Sequence, residues 1–250
     1  LTAAIYFQAD AYSTNTSKLM GRNAAGESFI NGFLRRSQYK TLYAQVNQVD
    51  DAEYFGQIAK RLGVAKPIKF ILPDQYGALN EVQTLYYPGP DIDELAFLRS
   101  AVNPNGWSIC GITHTTSSAR VMDAIAKWLT APIQPWDAII CTSAAVKRHV
   151  EIILQAELAR LQERLGVTRY SLPQLPVIPI GIQTEDFKFS GPDKRKARRT
   201  LNIDQDALVV LYMGRLSFHA KAHPMAMYRA LEVAAGRAGK EVVLIEAGWF

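Results

Sequence analysis

Nine apolar runs of five to seven residues alternate with amphipathic stretches along the whole chain, and this alternation restricts the fold more than any other feature. The runs are Ala3–Phe7, Thr41–Val46, Ile68–Leu72, Gln83–Tyr87, Ser108–Thr113, Asp137–Thr142, Pro176–Ile180, Ala207–Met213 and Glu241–Ala247. Between them, 3.6-residue periodicity predicts helices. The first is Glu27–Arg36, with Phe29, Ile30, Phe33 and Leu34 on one face, and the second is Asp51–Leu62, stopped by Gly63. Others are expected over Asp91–Val102, Ala119–Leu129, Ala144–Leu165, Asp193–Leu201 and Met225–Arg237. Strand–helix–strand repetition requires right-handed crossovers and a parallel sheet covered on both faces, so the expected class is α/β and Rossmann-like.

The pattern breaks between Gly181 and Gly191, where Gln183-Thr184-Glu185-Asp186-Phe187-Lys188-Phe189 reads as a linker. The predicted organisation is a first domain over 1–182, a linker over 183–192 and a second domain over 193–250. At 250 residues the chain is long for one α/β domain and short for two. The second domain holds one and a half βα units and is expected to be incomplete, with apolar surface left exposed.

Composition narrows function only modestly. A formal net charge of +5 and a pI near 9.1 suit an anionic ligand, a property many inert proteins share. Cys110 and Cys141 lie in apolar strand-like runs and read as buried, reduced thiols of a cytosolic protein. Leu1–Gln8 lacks a signal-peptide pattern, and no stretch reaches the roughly 18 apolar residues that span a bilayer, which leaves a peripheral membrane role open. The basic run Lys194–Arg199 has no interleaved aromatic residues and reads as a solvated helix face; no nucleic-acid partner is expected. His219 and His223 have i, i+4 spacing, but Pro224 follows and no third ligand is near, so no metal site is expected. Asp91-Ile92-Asp93 and Asp204-Gln205-Asp206 read as helix-start or turn residues.

The chemistry concentrates at strand ends. Val209–Met213 runs into Gly214, after which Arg215 and Lys221 flank a short loop before a helix. Glycine admits backbone N–H groups close to an anion, the helix offers its positive end, and two cations add full charge, which is the layout of a diphosphate clamp. Near the start, Lys18–Ser28 carries Gly21 and Gly26 at Walker-type spacing, but Glu27-Ser28 stands where a P-loop has Lys-Ser/Thr, which argues against triphosphate hydrolysis. Gly21 reads either as a point of close ligand approach or as a plain turn. His114 ends a strand, where it either faces a ligand or is satisfied by neighbouring threonines. Thr142-Ser143 offers hydroxyls at another strand end, or simply a helix N-cap.

Four segments together resemble the retaining, nucleotide-sugar-dependent glycosyltransferases of GT-B architecture, the group 1 family. They are Met20-Gly21-Arg22, Gly111-Ile112-Thr113-His114-Thr115, Ile178-Pro179-Ile180-Gly181-Ile182 and Gly214-Arg215-Leu216 with its lysine. Lys221 lies six residues after Arg215, where the family pattern has five. The resemblance implies a UDP- or GDP-linked sugar donor whose diphosphate meets Gly214, Arg215 and Lys221. It implies that His114 acts on the transferred sugar and that Gly21, Arg22, Thr115 and Ser143 line the donor and acceptor cleft. The implied acceptor is a sugar, polysaccharide or lipid-linked saccharide, without a cofactor or metal, in the cytoplasm or at the inner membrane surface. The family's paired glutamates would fall after Phe250, and the chain alone is expected to turn over little. Another GT-B enzyme, such as an epimerase or phosphorylase, and a non-catalytic nucleotide-binding module are the alternatives.

Overall fold

A computed structural model of the chain describes residues 2–16, 19–217, 221 and 223–249. It divides into two compact units, Leu1–Thr14 with Gly21–Ile182, and Asn15–Met20 with Gln183–Phe250. The first unit is an α/β, Rossmann-like domain. Its six parallel strands are β1 (Ala4–Phe7), β2 (Leu42–Val46), β3 (Ile68–Ile71), β4 (Thr84–Tyr86), β5 (Ser108–Ile112) and β6 (Ala138–Ile140), in the order β3-β2-β1-β4-β5-β6. The chain winds outward from β1 in one direction and from β4 in the other. The switch between these neighbours opens a crevice at the strands' C-terminal ends, where ligands bind in such sheets.

Helices α1 (Ala9–Tyr12), α2 (Gly21–Arg36), α3 (Val49–Arg61), α4 (Leu79–Val82), α5 (Asp93–Val102), α6 (Ala119–Ala126) and α7 (Ala144–Leu165) form the connections. Strand side chains alternate between two cores, which is why the strands read as continuous apolar runs. Ile5, Phe7, Leu42, Ala44 and Val46 pack with Ile30 and Leu34 of α2 and Phe55 of α3. Ala4, Leu85, Ile109 and Ile139 pack on the other side with Leu95, Trp128, Val150 and Leu154.

Three expectations are corrected. The first long helix begins at Gly21, six residues before the predicted Glu27, so most of the predicted glycine loop is helical; its Lys18 lies outside the described residues. Packing overrides glycine's loop tendency here. A Cβ on Gly26 would lie 2.0 Å from the Ala11 carbonyl oxygen, so glycine at this position lets α2 rest directly on α1. Buried Asn23 adds a hydrogen bond from Nδ2 to the Asp10 carbonyl, at 2.6 Å.

The predicted strand Pro176–Ile180 makes only isolated bridges to the edge of β6. Gln174 N–H donates to Asp137 O and Ile178 N–H to Cys141 O, while the Ile139 and Cys141 N–H groups donate to Gln174 O and Pro176 O. The missing rung is the one that would need an N–H on residue 176, and proline has none. Cys110, expected to be buried, is only partly buried, whereas Cys141 is buried; neither is in a disulfide.

The second unit contains a 3-10 turn (Thr184–Phe187), α8 (Gly191–Thr200), β7 (Leu208–Met213), α9 (Pro224–Ala238) and β8 (Val242–Ala247), with β7 and β8 parallel. Among its described residues only Ala207 is buried, and Leu211 and Met213 are exposed.

At the N-terminal edge of the first unit's sheet, Arg99 of α5 and Asp137 are both fully buried and form a bidentate pair at 2.5 and 2.8 Å. Arg99 also donates to the Trp107 and Pro132 carbonyls at 2.9 and 3.1 Å, and Asp137 accepts the Ile109 and Gln134 N–H groups, each at 2.8 Å. Removing one partner strands the other charge without water, so Arg99→Met or Asp137→Leu should each lower unfolding free energy by roughly 3–5 kcal/mol. The double replacement should cost less than the sum. Denaturant titration of the three variants checks both statements.

Candidate functional site

In the first unit, residues at the C-terminal sheet edge come from three connections. Gly21 and Arg22 form the first turn of α2, and a Cβ on Gly21 would meet nothing within 4 Å, so the space beside it is open. His114 follows β5 and is half-buried. Its imidazole is held below its ordinary pKa of 6.5, first by burial and second by the positive charge of Arg22. These two predicted residues therefore sense each other, and His114 is neutral near pH 7.

The loop after His114 is ordered by its own hydroxyls. Thr115 Oγ1 pairs with Ser117 Oγ at 3.3 Å, and Ser118 caps α6 by accepting the Val121 N–H. Thr116 Oγ1 lies 3.1 Å from His149 Nδ1 on α7, a residue that sequence reasoning missed because nothing local marks a histidine in a helix interior. Ser143 is the N-cap of α7, accepting the Val146 N–H at 3.2 Å. Its own O–H is left to donate.

In the second unit the loop after β7 is fixed by backbone pairing with the end of β8. Gly214 N–H donates to Ala247 O at 2.9 Å, and Leu216 N–H to Trp249 O at 2.8 Å. Gly214 has φ +157°, and a Cβ on Gly248 would lie 1.8 Å from the Gly214 carbonyl oxygen. Glycine at 248 is thus a steric condition of the Gly214 turn, which sequence reading did not reveal because the two residues are distant in sequence.

Arg215 sits on this turn with its guanidinium 5.6 Å from the Trp249 ring centroid, a cation–π arrangement, and its carbonyl accepts Tyr212 Oη–H at 3.1 Å. The Trp249 indole N–H donates to the Leu19 carbonyl, at 2.6 Å, within the same unit. Arg215 Nε is buried, and among the described residues it has no hydrogen-bond partner. Lys221 is exposed, and its backbone N–H closes the loop onto Ser217 O at 2.9 Å. Phe218, His219 and Ala220, read as part of this loop, lie outside the described residues. Glu246 on β8 accepts the Tyr228 hydroxyl.

Of the Asp-x-Asp triplets, Asp91 faces Arg120 at 3.5 Å, and Asp204 accepts the Asp206 N–H within its turn. Among the described residues no three His, Cys, Asp or Glu side chains gather as metal ligands, and no helix is long and apolar enough to cross a membrane.

No protein-family model and no curated protein matches the sequence. Two crystal structures of HepE from Anabaena share the fold. The one in complex with UDP and glucose has a TM-score of 0.54, 13% identity, and coverage of 99% of this chain and 70% of HepE. The one in complex with UDP-glucose has a TM-score of 0.53, 13% identity, and coverage of 98% and 69%. At this identity the likeness establishes the fold.

The electrostatics of His114 give a directed test. Because its folded pKa is lowered, the unfolded chain binds more protons between that value and about 6.5, so this site's share of stability rises with pH through the window, falls on acidification through it, and is flat below it. In an NMR titration of the His114 imidazole, Arg22→Gln should move the midpoint upward by removing the repulsion. His114→Asn should remove this site's share of the pH slope.

Proposed function

We propose that this chain is a glycosyltransferase of the GT-B kind, transferring a sugar from a nucleotide diphosphate donor with retention. The observation that carries the reading is Arg215. It is held by Trp249 and the Gly214 turn at the C-terminal end of β7, where a strand-end loop meets a cation. A guanidinium held on a strand-end turn can offer its N–H groups to a diphosphate oxygen in charge-assisted hydrogen bonds. The fold shared with a protein crystallised with UDP and with UDP-glucose supports a nucleotide sugar as the ligand class.

In this reading residues 1–182 take the acceptor, 183–192 link, and 193–250 begin the donor side. Gly214 admits the diphosphate, and Arg215 and Lys221 neutralise it as it leaves, without a metal or cofactor. Charge stabilisation of the leaving group is a large share of such catalysis, because the transition state at the sugar is oxocarbenium-like. His114, neutral near pH 7, can accept or share a hydrogen bond with the transferred sugar. Gly21, Arg22, Thr115 and the free Ser143 O–H supply the polar surround for sugar and acceptor. The free thiols Cys110 and Cys141 agree with a reducing, cytoplasmic setting. Burial keeps Cys110 protonated, its pKa raised to about 11.

Calorimetric titration with UDP and GDP, beside Arg215→Ala, tests the reading. One nucleotide should bind, and Arg215→Ala should weaken it on the order of tenfold to a hundredfold, the worth of one or two charge-assisted hydrogen bonds. Binding of neither nucleotide, or equal binding by the variant, would overturn it.

A further inference from the structure

The chain's excess positive charge lies in one short stretch. Residues 188–199 contain six basic side chains, Lys188, Lys194, Arg195, Lys196, Arg198 and Arg199, and one acidic, Asp193. Taken from totals of 28 basic and 23 acidic, they leave 22 of each, so the rest of the chain is formally neutral. A solvated helix face usually carries both signs. This one does not.

The structure keeps most of that charge unpaired. Asp193 is engaged in a capping box with Ser190, accepting its N–H at 2.8 Å. Arg198 turns inward to the carbonyls of Asp204, Gln205 and Ala207, and Lys188 pairs with Glu185. Lys194, Arg195, Lys196 and Arg199 are exposed, and among the described residues none meets a carboxylate within 4.0 Å.

Immediately before this helix, Phe187 and Phe189 are 68% and 75% exposed. Phe189 directly precedes the N-cap, where an apolar residue commonly packs against the fourth helical position; that position here is Lys194, so no such staple forms. Two unpacked aromatic rings beside four unpaired cations meet the two requirements of a peripheral membrane contact, electrostatic attraction and an apolar anchor.

We propose that α8 and the preceding Phe187–Phe189 segment form a docking surface for an anionic lipid bilayer. The four free cations sit over lipid phosphates and the two phenylalanines enter the headgroup–acyl boundary. Charge complementarity favours any polyanion; the phenylalanines commit the surface to a bilayer. The surface is independent of the transferase reading, because none of its side chains is among those placed against the diphosphate, the sugar or the acceptor.

Co-flotation of the chain with vesicles is the test. The chain should bind phosphatidylcholine vesicles carrying about one third phosphatidylglycerol and not phosphatidylcholine alone. Raising salt from about 0.1 M to about 1 M, which shortens the Debye length from about 10 Å to about 3 Å, should release it. Replacing Lys194, Arg195, Lys196 and Arg199 by Gln should weaken binding at least about tenfold. The same number of charges removed at Arg35, Arg36, Lys40 and Lys60 should leave it largely intact, with circular dichroism confirming that both variants fold. Phe187→Ser with Phe189→Ser should weaken binding severalfold without changing its salt dependence. Failure of the chain to bind the anionic vesicles, or equal loss in the two charge variants, would overturn the proposal. So would unchanged binding by the phenylalanine variant, or tighter binding of a short single-stranded RNA through the same four cations.

Discussion

The first unit depends on an ion pair that no water reaches. Arg99 and Asp137 are fully buried, and between them they engage the carbonyls of Trp107 and Pro132 and the N–H groups of Ile109 and Gln134. The pair therefore fixes α5, the start of β5, the turn before β6 and the start of β6 in one arrangement. A buried pair of this kind adds little net stability over an apolar filling, since desolvation offsets most of the attraction. What it contributes is geometry. β5 and β6 are short parallel strands, and their C-terminal ends carry His114 and Ser143. Setting their register at one edge determines where those side chains emerge at the other.

The alternation of apolar runs and helical stretches was sufficient to read the α/β class from sequence, because strand residues buried on both faces leave a signal independent of partners. Helix α7 was legible to the residue, bounded by Ser143 as N-cap and Gly166 in the left-handed conformation. What escaped was what depends on a partner distant in sequence. The start of α2 was hidden because Gly21 and Gly26 read as loop residues, and only Ala11 explains Gly26. The Arg99–Asp137 pair, the Thr116–His149 contact and the clash at Gly248 each join residues that periodicity cannot connect. The segment at 176–180 was read as a strand from its apolar residues, while proline at 176 decided the hydrogen bonding.

The two candidate loops are built on different principles. The loop bearing His114 rests on a sheet with a core on each face, so tertiary packing positions it. The turn bearing Arg215 belongs to a two-stranded sheet with hardly a buried residue, and a sheet of two strands has little stability of its own. Its shape comes from near neighbours: two backbone bonds to the end of β8, the glycine at 248, the Tyr212 hydroxyl and the Trp249 ring. A turn ordered by backbone pairing keeps Arg215 in place without relying on a large core, and the Gly214 and Leu216 N–H groups are spent in that pairing.

Charge is handled oppositely at the two loops, and this follows from their surroundings. At His114, burial and Arg22 act in the same direction, each opposing protonation, so the imidazole enters the neutral range as a hydrogen-bonding group and not as a cation. Arg215 cannot escape its charge by losing a proton. It is stabilised by the electron-rich face of Trp249. Aromatic stabilisation of a guanidinium leaves its in-plane donors available, because the ring occupies only a face. The cation–π contact therefore holds the guanidinium at the strand end without using up its N–H donors.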